Sequence, residues 1–144
     1  MLAGPIYLDA SAWVKPYLNE SGSAEIDAHL ARRTDVVVSD LGLTEAVSAI
    51  CRRTANAAGQ KLARRLQAQM LAEIRAGFLS VVPLTPAVHR AAESLLFQTG
   101  MPRLRAADAL HLALSKHAGA VTMACYDQRL RAAAEAQGLR LLPE

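Results

Sequence analysis

Aromatic side chains are scarce in this sequence, cysteine is nearly absent, and no long apolar run occurs. Phe, Trp and Tyr make up 4% of the residues, so the core must be assembled mainly from Ala, Leu and Val. The two cysteines, Cys51 and Cys125, lie far apart and outside any CxxC or Cys/His cluster. That placement excludes a zinc-finger pattern and a disulfide framework, and reduced, largely buried thiols in a cytosolic protein are expected. The longest stretch free of acidic, basic and His residues, Ala76–Val88, is interrupted by Pro83 and Pro86. It is too short to span a bilayer. The N-terminus shows no basic segment followed by a long apolar run, so a signal peptide is not expected and a cytoplasmic location is. Charge of one sign is not extreme either. A formal net charge of +3, with Arg supplying 13 of the 16 basic residues, is compatible with a polyanionic partner without requiring one.

What is present is a globular composition, 52% hydrophobic and 20% charged over 144 residues. That is enough for one domain, residues 1–144, with a sizeable core. Short aliphatic runs at Ile6–Asp9, Val36–Ser39, Phe78–Leu84, Val121–Cys125 and Leu139–Leu142 read as strands. Most show little polar alternation, as parallel strands covered on both faces should. Helical spacing fills the intervals: Ser11–Leu18, Ser23–Arg33, Leu41–Ala58, Gln60–Ala76, Ala87–Thr99, Arg105–Ala118 and Asp127–Gln137. Gly59, Gly77, Gly100, Gly119 and Gly138 each follow such a pattern, where a left-handed residue ends a helix. This alternation implies a three-layer α/β/α sandwich around a mostly parallel sheet. In Gln60–Ala76, Leu62, Leu66, Met70, Leu71 and Ile74 run beside Lys61, Arg64, Arg65 and Arg75. The apolar residues exceed what one sheet face needs, which suggests a dimer or partner surface. An ordinary amphipathic helix with a solvated basic face is the alternative.

Four acidic residues stand out. Asp9 ends the first strand, where α/β sheets open toward ligands, although it could equally cap the next helix. Asp108 opens a helix that is apolar nearly all round, Ala106-Ala107-Asp108-Ala109-Leu110-His111-Leu112. A carboxylate there needs a cation, strong hydrogen bonds or a pairing with Arg105 to offset its burial. Glu45 follows the second strand and Asp127 the fourth. Each taken alone reads as a solvated Glu or a helix cap. Together, the four can converge on one crevice at the carboxyl ends of parallel strands. Four adjacent carboxylates require a neutralising cation, and hard oxygen donors select Mg²⁺ or Mn²⁺. Phosphodiester hydrolysis is the chemistry implied. Mutual repulsion is expected to raise the pKa of at least one of the four, and to leave the metal-free protein less stable than Asp108→Asn at neutral pH.

These residues resemble the motifs of the PIN domain family, and more closely its VapC-type toxin ribonucleases, from Tyr7 to about Leu142. Tyr7-Leu8-Asp9-Ala10-Ser11-Ala12-Trp13 is similar to the first motif, Thr44-Glu45 to the second, Ala107-Asp108-Ala109-Leu110-His111-Leu112-Ala113 to the third, and Tyr126-Asp127-Gln128-Arg129-Leu130 to the fourth. The resemblance implies an endoribonuclease of a type II toxin–antitoxin pair. It implies Mg²⁺, or Mn²⁺, held by Asp9, Glu45, Asp108 and Asp127, with Ser11 assisting. It further implies an RNA substrate, a homodimer, and a VapB-type antitoxin whose peptide lies in a groove of the early helices. A housekeeping RNA-processing nuclease and a non-catalytic RNA-binding scaffold are the alternatives. A haloacid-dehalogenase-like phosphatase needs an Asp where Ser11 stands, and a phosphoacceptor receiver needs an early acidic pair that is missing. His111 is expected to pack near the site without acting as ligand or base, and His29, His89 and His117 lie outside it. Ser11 either bonds a metal-bound water or caps a helix, and Asp40 is expected to be a cap. Lys15, Arg103 and Arg105 are candidates for phosphate contact or for simple solvation.

Overall fold

Short strands rich in Val, Ile and Leu form the centre of the computed structural model, which describes residues 3–53, 56–98, 100 and 103–144. The strands are β1 (Ile6–Leu8), β2 (Val36–Ser39), β3 (Ser80–Val82), β4 (Thr122–Ala124) and β5 (Arg140–Leu142). They form one sheet in the order β3-β2-β1-β4-β5, with every pairing parallel. The helices between them are α1 (Ala10–Trp13), α2 (Lys15–Leu18), α3 (Ser23–Leu30), α4 (Asp40–Arg53), α5 (Ala57–Arg75), α6 (Pro86–Leu96), α7 (Ala106–His117) and α8 (Gln128–Ala136). Successive strand side chains point to opposite faces, and the sequence supplies apolar residues to both. Ile6, Leu8, Val36, Val38 and Ala124 pack with Trp13, Ile26, Ile50 and Met70 of α1, α3, α4 and α5. Tyr7, Val37 and Met123 pack with Val88, Leu112 and Leu130 of α6, α7 and α8. The three-layer α/β/α sandwich is therefore present. No helix of the described residues is long and apolar enough to cross a membrane.

Gly77, Gly119 and Gly138 each directly follow a helix C-cap as their sequence context indicates, whereas Gly100 is left-handed but lies beyond α6, whose C-cap is Phe97. Gly77, Gly100, Gly119 and Gly138 have φ of 86°, 79°, 69° and 82°. Gly59 does not end a helix. Asn56 starts α5 instead, accepting from the Gly59 N–H at 2.9 Å, so Ala57, Ala58 and Gly59 form the first turn of that helix. Thr54 and Ala55, within the expected helix Leu41–Ala58, and Thr99, at the end of another, lie outside the described residues. Asn56→Ala should cost about 1 kcal/mol, the usual loss for an N-cap, readable as a shift in the urea midpoint.

One further expectation is corrected here and another is narrowed. The single helix Ser11–Leu18 is split into α1 and α2, because Pro16 has no N–H with which to continue the ladder. Much of the apolar stripe of α5 serves this chain's own core. Leu66 and Met70 are buried in this chain's own core and Leu62 and Ile74 pack against it, while Lys61, Arg64, Arg65 and Arg75 are solvated.

Candidate active site

The chain enters the sheet at its middle, with β1 flanked by β2 on one side and β4 on the other. Helices α1 to α5 follow β1 and β2 over one face, and α6 to α8 cover the other. The loops leaving β1 and β4 therefore diverge, opening a crevice at the carboxyl ends of these two strands. A cleft of about 360 Å³ lies there, lined by Asp9, Glu45, Asp108 and Asp127 together with Ser11 and His111. All four carboxylates singled out from the sequence border it. Asp40 does not line it, and it is not the cap of α4 either, since the Gly42 N–H is accepted by Ser39 Oγ at 3.0 Å.

Each carboxylate is held by the local chemistry of its element. Asp9 caps α1, accepting the Ala12 N–H at 3.0 Å on Oδ1, so the capping reading and the site reading of this residue are both met. Ser11 Oγ–H donates to the same oxygen at 2.7 Å and accepts the Tyr126 N–H at 2.9 Å, which ties the β1 loop to the β4 loop. Ser11 therefore caps no helix. The Cys125 thiol donates to Asp9 Oδ2 at 3.1 Å. Asp108 Oδ2 accepts the backbone N–H of Arg105 at 3.0 Å, and among the described residues no ion pair joins it to the Arg105 guanidinium. Asp127 Oδ1 caps α8, accepting from Arg129 N–H at 2.9 Å and Leu130 N–H at 3.2 Å. Glu45 Oε1 accepts from His111 Nε2. In Glu45, Asp108 and Asp127, one oxygen is thus anchored, and the other carries no protein hydrogen bond among the described residues.

Asp9 is 5% exposed, and its hydrogen-bond donors are all neutral. Burial pushes its carboxyl above the usual range, opposed by the bonds from Ser11 and Cys125. The raised group expected from the sequence is present, but its leading cause is burial rather than repulsion among carboxylates. Burial, then the negative charge of Asp9, holds the Cys125 thiol well above its ordinary range. That makes it a hydrogen-bond donor and a poor nucleophile.

Three cations that line the cleft complete its wall: Lys15, Arg52 and Arg53. Lys15 lies 3.3 Å and Arg53 2.6 Å from Glu20, and the Lys15 ammonium sits 4.6 Å from the centre of the Tyr126 ring. Of the basic candidates, only Lys15 lines the cleft; Arg103 and Arg105 do not. Arg52 and Arg53 were missed from the sequence. Their signal was available, since they fall two turns after Glu45 along α4. Glu20 lies in a loop and carried none.

The PIN domain family model matches residues 6–136. The chain belongs to the PIN domain family. No curated protein matches it, but solved structures share its fold. VapC20 of Mycobacterium tuberculosis, a sarcin–ricin loop cleaving toxin, superposes with a TM-score of 0.70 at 19% identity, over 93% of this chain and 95% of that one. FitAB bound to a DNA fragment gives 0.73 at 18% identity, covering 95% and 93%. FitAcB from Neisseria gonorrhoeae gives 0.67 at 20%, covering 94% and 95%.

A divalent cation suits this PIN domain by donor chemistry. The cleft offers hard carboxylate oxygens, and the most buried of them, those of Asp9, have no cationic hydrogen-bond partner among the described residues. Among the described residues, no group of three or more His, Cys, Asp or Glu side chains stands as a ready metal cage. The carboxylates ring the cleft rather than meet at one point.

Proposed function

We propose that this PIN domain is a divalent-cation-dependent endoribonuclease, the toxin of a VapBC-type toxin–antitoxin pair acting in the cytoplasm. The observation that carries the reading is the arrangement of Asp9, Glu45, Asp108 and Asp127. They come from four separate elements and line one cleft, and three of them are anchored through one oxygen while the other has no protein hydrogen bond among the described residues. Mg²⁺, with Mn²⁺ as a substitute, would bind among these four, drawing on the carboxylate oxygens nearest the ion. When bound, the ion supplies positive charge to the scissile phosphate and activates water. The chain's own residues do the rest. Ser11 keeps Asp9 oriented and is placed to contact a water in the cleft, while Lys15, Arg52 and Arg53 give RNA phosphates a cationic wall.

The reading is tested on a labelled RNA pool. Cleavage should stop with EDTA and return with Mg²⁺ or Mn²⁺. Cleavage unaffected by chelator would overturn it, and so would no cleavage in either metal.

Partnership belongs to the same proposal. A groove of about 670 Å³ between α2, α3 and α5, lined by Trp13, Tyr17, Leu30, Phe78 and Leu79, supports docking of an antitoxin segment. An antitoxin Arg reaching the acidic cleft would replace the charge of the ion. A homodimer is the expected assembly. Co-expression with the neighbouring small reading frame should yield a complex with little nuclease activity, and full activity in such a complex would remove the antitoxin role. Sedimentation at micromolar concentration should give a dimer, and a strict monomer would rule that assembly out.

A further inference from the structure

Glu45 differs from its acidic neighbours in how it is held. Asp9, Asp108 and Asp127 sit at helix starts, where backbone N–H groups have no partner within the helix and can anchor a carboxylate. Glu45 is the sixth residue of α4, where each N–H is already committed to the helix. Its side chain is longer and 34% exposed. Without a donor from elsewhere it would sample several rotamers.

That donor is His111, and behind it stands a buried line of hydrogen bonds. Gly42 N–H donates to Ser39 Oγ at 3.0 Å; Ser39 Oγ lies 2.9 Å from Tyr7 Oη, which lies 2.7 Å from His111 Nδ1. Tyr7, Ser39 and His111 are 0%, 1% and 3% exposed. With Glu45 ionised and His111 neutral, the direction of every bond is set. An ionised Glu45 only accepts, so His111 Nε2 carries the hydrogen. A neutral imidazole then leaves Nδ1 as acceptor, and Tyr7 must donate to it. The Tyr7 oxygen accepts from Ser39, whose oxygen accepts from the backbone of Gly42. The line begins at the entry to α4 and returns to that helix through α7, crossing the carboxyl edge of the sheet.

We propose that His111 is a positioning residue. Through the Ser39–Tyr7–His111 line it fixes Oε1 of Glu45 and leaves Oε2 facing the cleft as a ready cation ligand. This rests on the reading of Glu45 as a ligand, and it gives His111 the orienting part that partners of ligands play in metal sites.

Mn²⁺ titration calorimetry on the full chain tests it. His111→Asn, whose amide cannot reach Glu45, should bind Mn²⁺ about 10–100-fold more weakly than wild type, the usual loss for such a partner. His111→Gln, which places an amide N–H near the Nε2 position, should regain most of that affinity. Asp9→Asn and Glu45→Gln serve as controls for the cation site itself. Wild-type affinity in His111→Asn alongside loss in both controls would reduce His111 to packing. Wild-type affinity in the controls as well would overturn the cation reading and this proposal with it. The line is also visible without any substitution. ¹⁵N spectra of the wild-type histidines should show His111 with its hydrogen on Nε2, and a hydrogen on Nδ1 alone would break the proposed direction.

Discussion

Asp108→Asn is expected to lose at least ~100-fold of RNA cleavage, the order of magnitude for losing metal-ion assistance, while remaining folded. The substitution is well matched to its surroundings. Asp108 is 8% exposed, and one of its oxygens accepts the Arg105 N–H at 3.0 Å. The amide oxygen of Asn can keep that bond and so preserve the start of α7. What is removed is the charge, and the second oxygen that faces the cleft becomes a nitrogen donor, which repels a cation. Cleavage of labelled RNA by nuclease-free protein, alongside circular dichroism, separates the two effects. A folded variant within a few-fold of wild type would place Asp108 outside the chemistry.

The second large effect is on stability, and it points the other way. In chelator at pH 7, Asp9→Asn is expected to melt at a higher temperature than wild type. The Asp9 carboxyl is held above its ordinary range, mainly by burial. A group whose folded pKa is raised gives its full favourable contribution below the unfolded value, near 3.9 for Asp. That contribution is lost as pH rises through the folded value. Ionising Asp9 places a buried charge that, among the described residues, only neutral donors solvate, whereas Asn keeps an acceptor for Ser11 and Ala12 without the charge. Lowering the pH should close the gap. Added Mg²⁺ should raise the wild type far more than the variant, because it binds the folded site. Melts of both proteins in chelator at several pH values decide the matter. A wild type more stable than Asp9→Asn at pH 7, with no pH trend in the difference, would show that burial of Asp9 imposes no electrostatic strain.

The sequence pointed to this site through position more than through any one residue. Asp9 and Asp127 directly follow strands, and Asp108 opens a helix too apolar to carry an idle charge; such facts are local and can be read along the chain. Glu45 was ambiguous because its defining contact, His111, lies 66 residues away, and nothing local distinguishes it from a solvated helix glutamate. The same distance hid the function suggested here for His111, whose surroundings in sequence are simply apolar. The α5 stripe was ambiguous for a related reason. Counting apolar residues does not show how much core surface α4 and the sheet present to them, and Ala63, Leu66 and Met70 are buried there. The start of α5 was misplaced because Gly59 suggested an end, while Asn56 was supplying the start.

The central place of β1 has a consequence for the order of synthesis. β1 is made first, yet one of its two neighbours is β4, and Ile6 pairs with Thr122. Asp9 receives the Cys125 thiol, its own N–H bonds to the Ala124 carbonyl at 3.2 Å, and Ser11 is held by the Tyr126 N–H. A nascent chain that has emerged only as far as α5 therefore carries Asp9 and Glu45 without the strand that holds Asp9 in place or the helix that holds Glu45. Domains fold as units and long-range strand pairing comes late. The cleft closes only when the last quarter of the chain docks, so an incomplete chain still on the ribosome carries its first acidic residues without the assembled cleft on which the proposed activity depends.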